Sequence, residues 1–321
     1  MIYSKIIGTG SYLPEEVLTN YDLESMVDTT HDWIVERTGI HARHRASIGA
    51  RTVDMATNAA KKALEMAGLN ICDVDLIIGT TGTPDNIFPS MACDIQRELG
   101  ANCPAFDVQA ACSGFIYGLS VADQFIKTGA MKTILLVSAE MMSRMVDWTD
   151  RSTCILFGDG AGAVVLQASE EPGILSTHLY ADGKYADLLK VKNPQAEYYG
   201  AESYGRGSIS MDGQKVFKLA VTRLEELVQH VLDYHHLQPH DIDWLVPHQA
   251  NNRIIEATAA KLSMPLERVV RTLATQGNTS SASIPLALDV AVRDGRIQRG
   301  QHLLLEAFGA GLTWGAAFIR F

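Results

Sequence analysis

An internal repeat constrains this chain more than any other feature. Asp73-Val74-Asp75 introduces the apolar run Leu76-Ile77-Ile78-Gly79-Thr80, and Asp241-Ile242-Asp243 introduces Trp244-Leu245-Val246-Pro247, alike in residue type position by position. Each unit follows a periodic helical segment: one starts at Thr52 as its N-cap and ends near Gly68, and the other runs from Val216 to Tyr234. Farther on, Cys112 and Asn278 each open a small-residue turn and a helix, and each stands 17 residues before the glycine that closes it, Gly129 or Gly295. Both parts then end in a strand and a glycine-rich hairpin, Phe157-Gly158-Asp159-Gly160-Ala161-Gly162 and Phe308-Gly309-Ala310-Gly311. Two homologous halves follow, residues 1–170 and 171–321.

Within the first half, elements alternate. A strand over 2–8 precedes a short helix between Asp28 and Gly39; then come the strand at Leu76, a helix over Met91 to Leu99, a strand over 104–108, the Cys112 helix and the strand Thr133 to Ser138. Such alternation predicts an α/β protein whose largely parallel sheets are covered by helices. A pseudo-twofold axis between the halves would bring the N-termini of the Cys112 and Asn278 helices face to face, which is a reason for a shared site there. The stretch 171–215, with glycines at 173, 183, 200, 205 and 207 and with Tyr180, Tyr185, Tyr198, Tyr199 and Tyr204, reads as excursions that wall a pocket.

Composition narrows the function classes. The chain of 321 residues is 47% apolar, enough for two halves sharing a core. Its net charge of −10 argues against general binding to nucleic acid or to an acidic membrane, so an acidic partner would need a local basic patch. Five cysteines without CxxC or Cys/His ligand spacing fit a reducing cytosol and no metal site. The start lacks the basic region and apolar core of a signal peptide, and no run approaches a membrane span. The expectation is a cytoplasmic protein.

The most reactive-looking position is Cys112, in Gln109-Ala110-Ala111-Cys112-Ser113-Gly114-Phe115. Small neighbours allow a sharp turn and leave space above the sulfur, while the helix start favours an anion, so a readily deprotonated thiol is expected. A thiolate nucleophile also needs hydrogen-bonding partners and a pair of N–H donors for an oxyanion. Two residues suit that need: His248, just past a strand's carboxyl end in Val246-Pro247-His248-Gln249-Ala250-Asn251, and Asn278 in Gln276-Gly277-Asn278-Thr279-Ser280. Trp33 beside Arg37 could grip a nucleotide by stacking and phosphate pairing, although packing explains the pair as well. Gly158-Asp159-Gly160 is followed by no helix and reads as a hairpin rather than a nucleotide loop.

Taken together, Ala111-Cys112-Ser113-Gly114, Pro247-His248-Gln249-Ala250-Asn251, Gly277-Asn278-Thr279-Ser280 and Phe308-Gly309-Ala310-Gly311-Leu312-Thr313-Trp314-Gly315 resemble the β-ketoacyl-acyl carrier protein synthase III family, from residue 2 to 321. The resemblance implies a thiolase fold of five αβαβα layers. It also implies a homodimeric condensing enzyme that initiates fatty acid synthesis: an acyl-CoA such as acetyl-CoA acylates Cys112, and malonyl-acyl carrier protein is decarboxylated to the attacking carbanion. Cys112, His248 and Asn278 match the family's triad, and the backbone of Cys112 and Ala310 matches its oxyanion site, with alanine where many relatives carry glycine. Trp33, Arg37 and Arg151 match positions that hold the adenine and phosphates of CoA; Gly213, Phe217 and Asn251 match the pantetheine tunnel. Phe157, Leu189 and Phe88 match the acyl pocket, Phe88 entering from the partner subunit. Acyl-CoA is then a substrate, with no permanently bound cofactor. Lys218, Arg253 and Lys261 form the expected basic docking patch for the carrier protein.

Other readings stay open on sequence alone. They are a synthase III-like enzyme of a specialised pathway, a condensation on free CoA esters as in chalcone synthase or hydroxymethylglutaryl-CoA synthase, and an inactive subunit. Such a subunit usually lacks the nucleophile, which this chain retains; a thiolase proper needs a second cysteine near the C-terminus, and none follows Cys154.

Overall fold

The computed structural model describes residues 2–193 and 207–321. Tyr198, Tyr199 and Tyr204 of the expected pocket wall lie outside the described residues. The chain begins with β1 (Tyr3–Tyr12), then a two-stranded pair, β2 (Glu16–Thr19) and β3 (Ala42–Arg45), around helix α1 (His31–Thr38). Helix α2 (Thr52–Ala67), β4 (Leu76–Thr80), α3 (Met91–Leu99), β5 (Ala105–Asp107), α4 (Gly114–Lys127), β6 (Thr133–Met141) and β7 (Asp159–Ser169) follow. The remainder comprises β8 (Ile174–Ala181), the short pair β9 (Leu189–Val191) and β10 (Ile209–Met211), α5 (Gly213–His235), β11 (Trp244–Pro247), α6 (Asn252–Lys261), α7 (Ser283–Arg293), β12 (His302–Gly309) and β13 (Thr313–Arg320).

Two sheets stack with helices between and outside them. The first has strand order β1-β7-β6-β4-β5 and the second β11-β12-β13-β8. Helices α4 and α7 lie between the sheets and touch strands of both; α2 covers the outer face of the first sheet, and α5 that of the second. This is the five-layered αβαβα arrangement. The central helices bury apolar residues on every side, including Phe115, Ile116 and Leu119 of α4 and Ile284, Ala287 and Leu288 of α7, in one core shared with both sheets. Glycine allows the close approaches this requires: a Cβ at Gly162 would lie 2.7 Å from the Leu286 backbone nitrogen on α7.

Three expectations are corrected. The sheets are mixed: β4 pairs parallel with β5 and β6, and β11 with β12, whereas β7 runs antiparallel to β1 and β6 and β13 antiparallel to β12 and β8. A fully buried strand is an apolar run in either direction, so periodicity does not distinguish the two. The motif Gly158-Asp159-Gly160 is no hairpin; Asp159 begins β7, and its carboxylate accepts from the backbone N–H of Ala46 and Ser143. Thr52 is the first residue of α2 rather than its cap. The α2 N–H groups of Thr52 and Val53 are taken by the Asp85 carboxylate, and the Thr52 hydroxyl donates to Thr83 O.

Candidate active site

Backbone geometry prepares the position of Cys112. Ala111 is held at φ 46° and begins a 3₁₀ turn, Ala111–Ser113, that runs into α4. Ser280, at φ 51°, begins an equivalent turn, Ser280–Ala282, that runs into α7. Left-handed geometry costs a non-glycine residue on the order of 1–2 kcal/mol, and two such residues facing each other mark a place where the surrounding structure enforces the turn. The two helix starts meet: Ser280 Oγ lies 3.5 Å from Cys112 Sγ. Registering the two turns pairs Cys112 with Ser281, not with Asn278, which corrects the expected equivalence of the two helix openings. Asn278 precedes the turn, and its Oδ1 accepts the Ser280 N–H at 2.8 Å, leaving Nδ2 as the free donor of the amide.

Cys112, His248 and Asn278 line one narrow cavity of about 110 Å³, together with Gly213, Phe217 and Asn251. His248 continues β11 past Pro247, its backbone N–H donating to Glu306 O, and its ring is buried. Burial lowers the imidazole to about 4, so the ring is neutral at neutral pH. Burial also pushes the Cys112 thiol up to about 11; the nearby Glu140 carboxyl adds to the rise, and the Ser280 hydroxyl opposes it. Burial thus favours the thiol form of the resting sulfur over the readily formed thiolate expected from the sequence. A broader groove of about 1270 Å³ reaches Cys112 from another side, past Ala310, Ser280 and Ile87. Phe157 and Leu189 line both spaces. Gly309 passes so close that a Cβ there would lie 2.8 Å from the Cys112 nitrogen, which brings the following residue, Ala310, to the groove beside the sulfur.

The remaining predicted residues fall in three places. Trp33, Arg37 and Arg151 line neither space and cluster at a rim beside the cavity, Arg37 lying 5.5 Å and Arg151 4.9 Å from the Trp33 ring centroid. Asn251 ties rim to tunnel by donating to Arg37 O, and its Oδ1 caps α6 at Arg253 N. On the outer surface Arg253 lies over the Phe217 ring at 5.0 Å beside exposed Lys218, while Lys261 ends α6, eight residues or ~12 Å along the helix axis from Arg253. Phe88 stands apart at 84% exposure and lines neither space at the sulfur.

Sequence reasoning missed Ser280, Ser283, Glu140 and Glu306. Glu140 is buried under the two turns and accepts from Ser281 Oγ, Thr83 Oγ1 and Gly82 N; burial raises its carboxyl. Glu306 lines the cavity with Oε2 unpartnered, and burial pushes it up to about 8. An acid inside an apolar strand, as in Leu305-Glu306-Ala307, was the available signal. No group of three or more His, Cys, Asp or Glu able to hold a metal, and no helix long and apolar enough to cross a membrane, occurs among the described residues.

Comparison with known proteins gives a consistent picture. Family models described as 3-oxoacyl-[acyl-carrier-protein] synthase III and its C-terminal part match residues 106–183 and 232–321. A β-ketoacyl-[acyl-carrier-protein] synthase III of Thioalkalivibrio sulfidiphilus is 58% identical over 100% of both chains. The crystal structure of 3-oxoacyl-[acyl-carrier-protein] synthase III from Aquifex aeolicus is 49% identical, covers 99% of this chain and 100% of its own, and superposes with a TM-score of 0.93. A priming β-ketosynthase of a polyketide pathway is 37% identical, with a TM-score of 0.94 and 99% and 96% coverage.

Proposed function

The chain belongs to the 3-oxoacyl-[acyl-carrier-protein] synthase III family, and from that premise we propose how its own residues divide the reaction. It is a condensing acyltransferase that initiates fatty acid biosynthesis. Acyl-CoA enters as a substrate, its adenine and phosphates at Trp33, Arg37 and Arg151 and its pantetheine along Gly213, Phe217 and Asn251. Cys112 attacks the thioester and its proton leaves with the CoA sulfur, so this stage is balanced without a permanent base. Malonyl-acyl carrier protein follows through the same cavity, its carrier docked on Lys218, Arg253 and Lys261. Loss of carbon dioxide places negative charge on the malonyl thioester oxygen, where His248 and Asn278 Nδ2 donate. The resulting carbanion attacks the acyl carbonyl, whose oxygen is held by the N–H groups of Cys112 and Ala310, and Cys112 leaves and takes up one proton from solvent.

The observation that carries this division is the neutral His248 beside Asn278 in the cavity that holds the thiol. A neutral donor stabilises the enolate without handing the carbanion a proton that would quench it. Because the ring protonates only near pH 4, carbon dioxide release is expected to be flat as pH falls from 7 to 5.5. The test pairs radiolabelled acyl transfer to Cys112 with carbon dioxide release from malonyl-acyl carrier protein. An intact protein that acquires no acyl group from any of a panel of acyl-CoA primers would overturn the assignment. Phe157 and Leu189 set the acyl pocket in each subunit of a cytoplasmic homodimer, completed by the exposed Phe88 of the partner. A fully active monomer in sedimentation at micromolar concentration would remove that last element.

A further inference from the structure

A neutral imidazole carries one proton, and His248 can donate toward the cavity from Nε2 only if that proton is not on Nδ1. The structure contains a device that decides between the two nitrogens. Nδ1 lies 2.6 Å from Ser283 Oγ, both groups being buried. Ser283 Oγ in turn accepts the backbone N–H of Gln249 at 3.2 Å. That N–H occupies one lone pair of the hydroxyl, and Nδ1 is the only acceptor in hydrogen-bonding reach of Ser283 Oγ among the described residues. A proton on Nδ1 would leave the hydroxyl hydrogen without a partner in the core, an unfavourable state for a buried donor.

Gln249 is itself fixed on all sides, which holds its N–H in place. Its side-chain nitrogen donates to Pro247 O and Val270 O, and its side-chain oxygen accepts from Thr272 N and Leu273 N. The other half of the molecule lacks the device: Gly114 stands where Ser283 does, and a Cβ there would meet Ser281 Cβ at 3.1 Å and Thr80 Cβ at 3.3 Å. We infer that Ser283 is a positioning residue that holds His248 in the Nε2–H tautomer, oriented by the Gln249 N–H, so that the imidazole serves as a donor to the malonyl thioester oxygen. The inference rests on the donor role given to His248 above.

Its test reads the tautomer directly. In protein labelled with ring-¹⁵N histidine, the His248 signals are identified among the 10 histidines by their loss in His248→Ala. Wild type is expected to show a protonated Nε2 and an unprotonated Nδ1; the opposite pattern overturns the inference without any variant having to fold. Ser283→Ala is expected to shift the ring toward Nδ1–H and to slow carbon dioxide release about 10–100-fold, the usual effect of removing a partner that orients a reacting group, while acyl transfer to Cys112 stays within about twofold. Ser283→Thr, which keeps the hydroxyl, is expected to restore both the tautomer and the rate. Unchanged tautomer and carbon dioxide release in Ser283→Ala, or equal loss of both half-reactions, would sink the role of Ser283 alone. If His248→Ala itself leaves carbon dioxide release intact, the donor role of His248 fails instead, and the two failures are thereby distinguished.

Discussion

The turn before α4 and the turn before α7 are one backbone conformation used twice for different chemistry. Both begin with a non-glycine residue in left-handed geometry, Ala111 or Ser280, and both pass through a 3₁₀ turn into a central helix. At matched positions stand Cys112 and Ser281, then Gly114 and Ser283. On the adjoining strands Thr80 matches His248 and Val137 matches Glu306. In the first unit the strand residue is tied to the sheet, Thr80 Oγ1 lying 2.5 Å from Ser138 Oγ, and the turn presents a sulfur to the cavity. In the second the turn residue faces away, Ser281 Oγ donating to Glu140, and the strand residue presents an imidazole. On the proposed division of the reaction, one unit supplies the group that forms a bond and the other the groups that meet charge. A reaction that first needs a nucleophile and then a stabilised carbanion gains from keeping the two apart, since each can be buried and hydrogen-bonded on its own terms.

The strongest way to break this comparison is to exchange the roles. Cys112→Ala is expected to abolish acyl transfer and condensation while carbon dioxide release survives. Adding Ser281→Cys to it should restore nothing, because that side chain is directed at the buried Glu140 carboxyl rather than the cavity. Intact mass after incubation with acyl-CoA decides it: an acyl adduct on the double variant would show the two turns to be interchangeable. Next in size, Asn278→Ala removes one of two donors from the second unit. Carbon dioxide release should fall about 10²–10³-fold, the usual cost of one oxyanion donor, with acyl transfer largely intact. The reverse pattern would place the amide in the service of the sulfur.

These assignments show where sequence was sufficient. The Asp75 and Asp243 carboxylates, which signalled the repeat, do the same work in both halves: each accepts a backbone N–H at the start of the neighbouring parallel strand, from Thr133 or from His302. Gly129 and Gly295, at φ 76° and 82°, end their helical segments in left-handed geometry, as their residue type required. Equal spacing to those glycines nevertheless led to a wrong register, with Asn278 opposite Cys112. A turn built of small residues can take up three positions without any change in apolar pattern, and only the backbone angles at Ala111 and Ser280 fix it. Ser283 was unreadable for a related reason: a serine at a helix start signals a cap, but this one bonds a histidine 35 residues away in the chain. Trp33 beside Arg37 carried a nucleotide reading of its own, whereas Arg151 and the tunnel residues were legible only through family likeness, because Trp33 and Arg151 are brought together by folding and not by spacing.

A smaller effect separates Val137 from Glu306. Burial holds the Glu306 carboxyl at about 8 against an ordinary 4.5, so between those values the folded chain keeps a proton that the unfolded chain has lost. Stability should therefore decline as pH rises through this window and level off above it. Glu306→Gln removes the titration, and its stability relative to wild type should improve between pH 5 and pH 8 by on the order of 3 kcal/mol. Denaturant midpoints at the two pH values test this; a constant difference would mean that Glu306 is ionised and solvated in the folded protein. Val137, buried among apolar residues, contributes no such slope.

The least disruptive test concerns the outer helices, which follow corresponding strands and differ in charge. Helix α3 carries Asp94, Arg97 and Glu98, with Arg97 already paired to both acids, whereas α6 carries Arg253, Glu256 and Lys261 and faces solvent beside Lys218. An acidic carrier approaching a chain of net charge −10 is steered by local rather than overall charge. Arg253→Glu should raise the KM for malonyl-acyl carrier protein about tenfold, in line with 1–2 kcal/mol for reversing one charge at a contact, and Arg97→Glu on α3 should leave it unchanged. Added salt should weaken the wild type and narrow the gap between the two variants, since exposed charges are screened over about 10 Å at 0.1 M. Arg253 also lies over Phe217 at the tunnel mouth, so acyl-CoA turnover must be measured beside carrier turnover. An equal loss with both substrates would mean that Arg253 shapes the tunnel through Phe217, and the contrast between α3 and α6 would then be one of packing rather than of charge.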